Sequence, residues 1–153
     1  MFNKDFKEFV SLLNAHRVEY LVVGGYALAA HGHPRFTGDL DIWLQRSAVN
    51  AQRTVDALHA FGLGSLDISA ADLTKPDSVV QLGYPPCRID LLTAIDGVSF
   101  EQCAARREIV QIDTMPVPFI GLDDFKTNKR TAGRPKDLAD LASLEENLGD
   151  KKT

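Results

Sequence analysis

Cysteine is scarce in these 153 residues: only Cys87 and Cys103 occur, in no CxxC or zinc-type spacing, which excludes a disulfide framework and a cysteine-rich metal site. Long apolar runs are missing too. None approaches the roughly 18 residues a membrane-crossing helix needs. Nor is there an excess of positive charge: 17 Lys and Arg stand against 21 Asp and Glu, a net charge of -4, which argues against a chain that coats nucleic acid through many phosphate contacts. Nothing resembles a signal peptide, so a soluble, cytoplasmic protein with reduced thiols and no membrane partner is expected. What is present is ordinary globular material, 44% hydrophobic and 25% charged. That is enough for one domain over residues 1–153 with its own core, and 148–153 read as a frayed tail.

The chain is organised around YLVVGGYALAAHGHPRFTGDLDIWL, Tyr20 to Leu44. Tyr20 to Val23 is a short continuous apolar run, as in a strand buried on both faces and central in its sheet. Gly24 and Gly25 follow, where missing β-carbons let backbone amides approach a ligand. A short helix from about Tyr26 to His31 would then present free N–H groups suited to a phosphate. The second strand carries Asp39-Leu40-Asp41-Ile42. Alternation puts Asp39 and Asp41 on one face, about 6.6 Å apart along the backbone, with Leu40 and Ile42 turned to the core. Two like charges on one face call for a cation, and Mg²⁺ prefers carboxylate oxygens. A phosphate cradle facing a carboxylate pair points to phosphoryl or nucleotidyl transfer. Arg35 and Thr37, just ahead of the acidic strand, suit phosphate contact, or else are a solvated loop arginine and a turn threonine. His31 and His33 lack further ligands close in sequence for a zinc site.

Elsewhere, Phe6, Phe9, Val10 and Leu13 recur at helical spacing, as do Val49, Val55, Leu58 and Phe61 over 48–61. Strands are expected over 78–82 and 87–93, joined by Gly83-Tyr84-Pro85-Pro86. Asp90, between Ile89 and Leu91, reads as an unpaired buried acid that completes the site beside Asp39 and Asp41, or as an exposed edge residue. A short helix over 98–105 precedes a hairpin, 108–112 with 115–120, whose Pro116 and Pro118 favour a sheet edge. A helix from Leu122 ends near Gly133. The last, 135–148, has Pro135 in its first turn and Leu138, Leu141, Ala142 and Leu148 on one side. Lys126, Lys129, Arg130, Arg134 and Lys136 form the one basic cluster, and an anion is expected near that helix N-terminus. The pattern predicts an α/β (α+β) fold, a small mixed sheet with helices mainly on one face.

Two glycines after an apolar strand, then Asp-apolar-Asp-apolar, resemble the signature of the polymerase-β-like nucleotidyltransferase superfamily. With Arg35, Thr37 and the GRPKDLADL segment, the chain is similar to its minimal AbiEii-like members from toxin-antitoxin systems. The resemblance implies the nucleotidyltransferase fold and an enzyme moving a nucleoside monophosphate from an NTP to a hydroxyl of a protein, a tRNA or a small molecule, with pyrophosphate released. It implies a two-metal Mg²⁺ site on Asp39, Asp41 and Asp90, also the catalytic residues, and NTP binding by Gly24, Gly25, Arg35, Thr37, Lys129 and Lys136. Lys136 and Asp137 could equally be solvated first-turn residues. The short C-terminal part suggests that acceptor selection needs a partner subunit or a homo-oligomer. The alternative is a catalytically silent NTP-binding antitoxin or regulatory module.

Overall fold

A computed structural model describes residues 2–32, 38–64 and 66–151. Over these residues six helices and six strands follow in the order α1 (Lys4–Ala15), β1 (Tyr20–Val23), α2 (Gly24–Ala30), β2 (Asp39–Leu44), α3 (Ala48–Ala60), β3 (Val79–Leu82), β4 (Arg88–Leu92), α4 (Phe100–Ala105), β5 (Glu108–Ile112), β6 (Met115–Phe119), α5 (Leu122–Ala132) and α6 (Pro135–Lys151). The helix starts are chemically marked. Asn3 accepts from the Phe6 N–H at 2.8 Å, and Ser47 and Ser99 do the same for α3 and α4, satisfying donors that the helix itself leaves open. Gly133, with φ 64°, ends α5 in the left-handed conformation that glycine tolerates. α6 continues to Lys151, past the expected end at Leu148.

The strands form one mixed sheet in the order β3-β4-β2-β1-β6-β5. β2 runs antiparallel to β1 and parallel to β4, so Asp41 is in register with Val23 on one side and Asp90 on the other. β3 extends the row antiparallel, placing Gln81 beside Asp90. All four residues of β1 are buried, as its central position requires. On one face Val22, Ile42 and Phe119 are fully buried, as are Phe6 and Phe9 of α1. α1 in turn packs on α3. The opposite face carries Asp39 and Asp41, and further along β2 the ring of Trp43 meets Phe100 of α4 edge-on at 5.2 Å. Trp43 Nε1 is buried with no hydrogen-bond partner among the described residues.

Three local expectations are corrected. β6 is internal, although it contains Pro116 and Pro118. It pairs over its whole length with β5 but touches β1 at the single register pair Val22–Phe119. The prolines therefore cost no β5 bond, and Asn14 Nδ2 donates to the Pro116 carbonyl at 2.9 Å where the ladder lapses. Val49 is exposed, because the inward side of α3 begins at Asn50. The Asn50 side chain accepts from Glu19 N–H at 2.7 Å and donates to the Glu19 and Gln45 carbonyls, clipping the start of β1 to the end of β2. Leu138 is also exposed, since α6 turns Asp137, Asp140, Leu141 and Leu144 inward instead. Cys87 and Cys103 are free thiols. Among the described residues no helix is long and apolar enough to cross a membrane.

Candidate active site

β2 and β4 are parallel neighbours, and the alternation of side chains along each gathers their acids on one face. Across the sheet the row reads Val23, Asp41, Asp90, Gln81, and Asp39 faces Arg88 in the adjoining row. The structure thus brings together Asp39, Asp41 and Asp90, which lie at distant points of the sequence. Asp90 is buried, as expected, but it is not unpaired. Arg88, two residues earlier and so on the same side of β4, donates from Nε to Oδ1 and from NH2 to Oδ2, both at 3.0 Å. The same Nε stands 3.8 Å from Asp39 Oδ1. Among the described residues, no group of three His, Cys, Asp or Glu side chains stands at metal-binding geometry.

Asp41 carries the electrostatic signature of the site. Burial pushes its carboxyl up, and the charges of Asp90 and Asp39 push further, to about 6, against the pull of Lys136 and Lys129. The Asp41 charge is therefore under-compensated. Arg88 meets part of the demand, and the lysines at the start of α6 and on α5 act from nearby.

Gly24 and Gly25 form the first turn of α2 rather than a separate loop. Gly24 has φ 70°, and a β-carbon there would overlap the Asp41 carboxylate. The space left by the missing side chain is where Asp41 rests. Gly24→Ala is accordingly expected to cost on the order of 2–4 kcal/mol, from left-handed strain plus overpacking. Urea unfolding measures this, and a change below about 0.5 kcal/mol would show that Asp41 moves aside freely.

The basic residues divide. Lys129 is buried on α5, 3.2 Å from Asp137 Oδ1 and 3.5 Å from Asp140 Oδ2, with its ammonium 5.3 Å from the centre of the Phe125 ring. Lys136 is exposed in the first turn of α6. Asp137, beside it, is fully buried. It accepts from the Arg134 backbone N–H at 3.2 Å and from Arg134 Nε at 2.7 Å. Burial alone would raise the Asp137 carboxyl, but hydrogen bonds from Arg134 and Lys129 outweigh it and hold the group below the usual range. The anion expected at this helix N-terminus is thus supplied by the chain itself. Of the two readings of this turn, Asp137 is not solvated and Lys136 is.

Arg35 and Thr37 lie outside the described residues, as does His33. His31 is held at the end of α2, with Nε2 2.8 Å from the Ile120 carbonyl and Nδ1 3.6 Å from Glu108 Oε2. Sequence reasoning missed Arg88 and Asp140, and weighed Asp137 only as a solvated first-turn residue, whereas it is fully buried. For Arg88 a signal existed, since Arg-x-Asp on a strand puts both groups on one face.

No protein-family model matches the chain, and no curated protein matches it. Among solved structures it is similar to a protein from Thermotoga maritima described as a putative nucleotidyltransferase, with a TM-score of 0.54 at 14% sequence identity, over 95% of this chain and 91% of that one. The likeness is one of fold, and it extends over nearly the full length of both chains.

Proposed function

We propose that this chain is a Mg²⁺-dependent nucleotidyltransferase that moves a nucleoside monophosphate from an NTP to an acceptor hydroxyl and releases pyrophosphate. The observation that carries the reading is the Asp39, Asp41 and Asp90 cluster with exposed Lys136 close enough to act on Asp41. The fold shared with the Thermotoga protein supports the same class. GRPKDLADL supports the narrower reading, a minimal AbiEii-like enzyme of a toxin-antitoxin system. The acceptor is a protein, a tRNA or a small molecule, presented with the help of a partner subunit or a second copy.

The donor set fits the metal in part. Asp39 and Asp41 offer oxygens on one face, and the raised Asp41 carboxyl reflects first its burial and then the repulsion of Asp90 and Asp39, which a divalent cation relieves. Asp90 joins them once the Arg88 fork lets go. When bound, Mg²⁺ supplies charge neutralisation for the phosphates and the leaving group. The chain's own residues do the rest. Lys136, with Arg35 and Thr37 ahead of β2, binds the phosphates and offsets charge building on the pyrophosphate. Gly24 and Gly25 leave room for Asp41 and for the nucleotide beside it. Asp90 accepts the proton of the hydroxyl as its oxygen attacks the α-phosphorus. The bond from that phosphorus to the bridging oxygen breaks, and its electron pair leaves on pyrophosphate.

One observation favours a second reading, an NTP-binding module without catalysis: both Asp90 oxygens are engaged by Arg88. Incubation with α-labelled NTPs and Mg²⁺ across protein and RNA extracts separates the two. The enzyme transfers label, and Asp39→Ala abolishes the transfer. Tight NTP binding with no label transferred by the wild-type protein would establish the silent module instead.

A further inference from the structure

β3 is an edge strand, and its site-facing positions are open. Gln81, next to Asp90 in the row, is exposed, and so is Val79. Beyond β3 the chain turns through Gly83-Tyr84-Pro85-Pro86, and Tyr84 is 86% exposed, more than any other exposed large apolar residue described. An aromatic ring left in water forgoes the burial that such side chains ordinarily gain. The turn beneath it is well held. Cys87 N–H donates to the Tyr84 carbonyl at 2.9 Å, and Asn3 Nδ2 donates to the Pro86 carbonyl at 3.3 Å. Two consecutive prolines fix their own φ angles. The turn also lies against the site, for a β-carbon built on Gly38, the residue before Asp39, would sit 3.6 Å from Pro85 Cβ.

The direction a nucleotide would take follows from the sheet. Resting on the function proposed above, its phosphates lie near Lys136 and the Gly24 end of β1. From β1 through β2 and β4 to β3 is three strand spacings, roughly 14 Å at about 4.8 Å each. An extended NTP laid along that row carries its nucleoside past Asp90 toward the open edge. We propose that Tyr84 is the platform on which the nucleobase of the NTP stacks, with Gln81 along the approach. Stacking on an exposed ring is tolerant of base identity, because every base has a π-face. The platform therefore adds affinity for the nucleoside without dictating which base is used.

Calorimetric titrations in Mg²⁺ with ATP and with inorganic tripolyphosphate test this on the full-length protein. Wild type should bind ATP more tightly than tripolyphosphate. Tyr84→Ala should weaken ATP binding about tenfold or more and leave tripolyphosphate binding unchanged. Tyr84→Phe should bind ATP like wild type, whereas Tyr84→Leu, which keeps apolar bulk without the aromatic face, should weaken it. At an exposed site all three variants should melt with the wild type. ATP affinity unchanged in Tyr84→Ala, or an equal loss for tripolyphosphate, overturns the assignment while leaving the nucleotidyltransferase reading intact. Binding of neither ligand by wild type overturns both.

Discussion

Asp41→Asn is expected to lower nucleotidyl transfer by about a hundred- to a thousandfold or more, as when one group positioned for transition-state charge is lost, while making the protein more stable. The two effects share one cause. The Asp41 carboxyl rises from 3.8 to about 6 because burial and the neighbouring acids disfavour its charge. Between those values the folded protein holds a proton that the unfolded chain has already released. Stability therefore falls as pH rises from about 4 to about 6, and the deficit persists at neutral pH. A shift of two units corresponds to at most about 3 kcal/mol. Partial exposure reduces this to on the order of 1 kcal/mol, which in a chain of this size is roughly 2–4 °C in Tm. Asparagine keeps the shape and removes the charge. Melting curves at pH 4 and pH 7.5 should show a pH-dependent loss in wild type that is reduced in Asp41→Asn. Identical pH dependence in the two proteins, or a variant that transfers at the wild-type rate, would count against this assignment.

Lys129→Met is expected to produce the largest loss of stability, about 3–5 kcal/mol. The lysine side chain is 8% exposed, and its partners Asp137 and Asp140 are 0% and 4% exposed. Removing the cation leaves buried carboxylates with less compensation, which costs far more than the intact pair contributes. Arg134 still serves Asp137, through its backbone N–H and guanidinium, while Lys129 also stands 3.5 Å from Asp140 Oδ2. Asp140→Asn should then cost less in the Lys129→Met background than in the wild type, and a double-mutant cycle by urea unfolding measures that coupling. A Lys129→Met protein within about 0.5 kcal/mol of wild type would show that the cluster is not under this electrostatic load. The same geometry bears on function. Because Lys129 is committed to α6 acids, exposed Lys136 is the lysine suited to reach a phosphate.

The elements of this fold were legible because their signals are local. Alternation in Asp-Leu-Asp-Ile marks β2, helical spacing of Phe6, Phe9, Val10 and Leu13 marks α1, and Gly133 marks the end of α5. What was not legible depends on partners from afar. Proline forbids a ladder bond on one side of a strand only, so Pro116 and Pro118 could not reveal that β6 uses its other side for β5. An apolar stripe on α6 predicts Leu138 inside, yet Lys129 and Arg134 make it favourable to bury Asp137 and Asp140 instead. The acidic cluster itself could be expected, since each acid sits among core residues of a strand. Its internal counter-charge was legible only in part, because Arg-x-Asp puts Arg88 beside Asp90 on one strand face, whereas the approach of Arg88 to Asp39 depends on β2 lying beside β4.

The most direct measurement is a calorimetric titration of wild-type protein and the Asp39→Asn/Asp41→Asn double variant with ATP, in Mg²⁺ and then in EDTA. Wild type should bind ATP with Mg²⁺ present, should lose most of that affinity in EDTA, and should exceed the double variant by about a hundredfold. Equal affinity in Mg²⁺ and EDTA, unchanged when both carboxylates are gone, would contradict a metal-assisted nucleotide site at these residues.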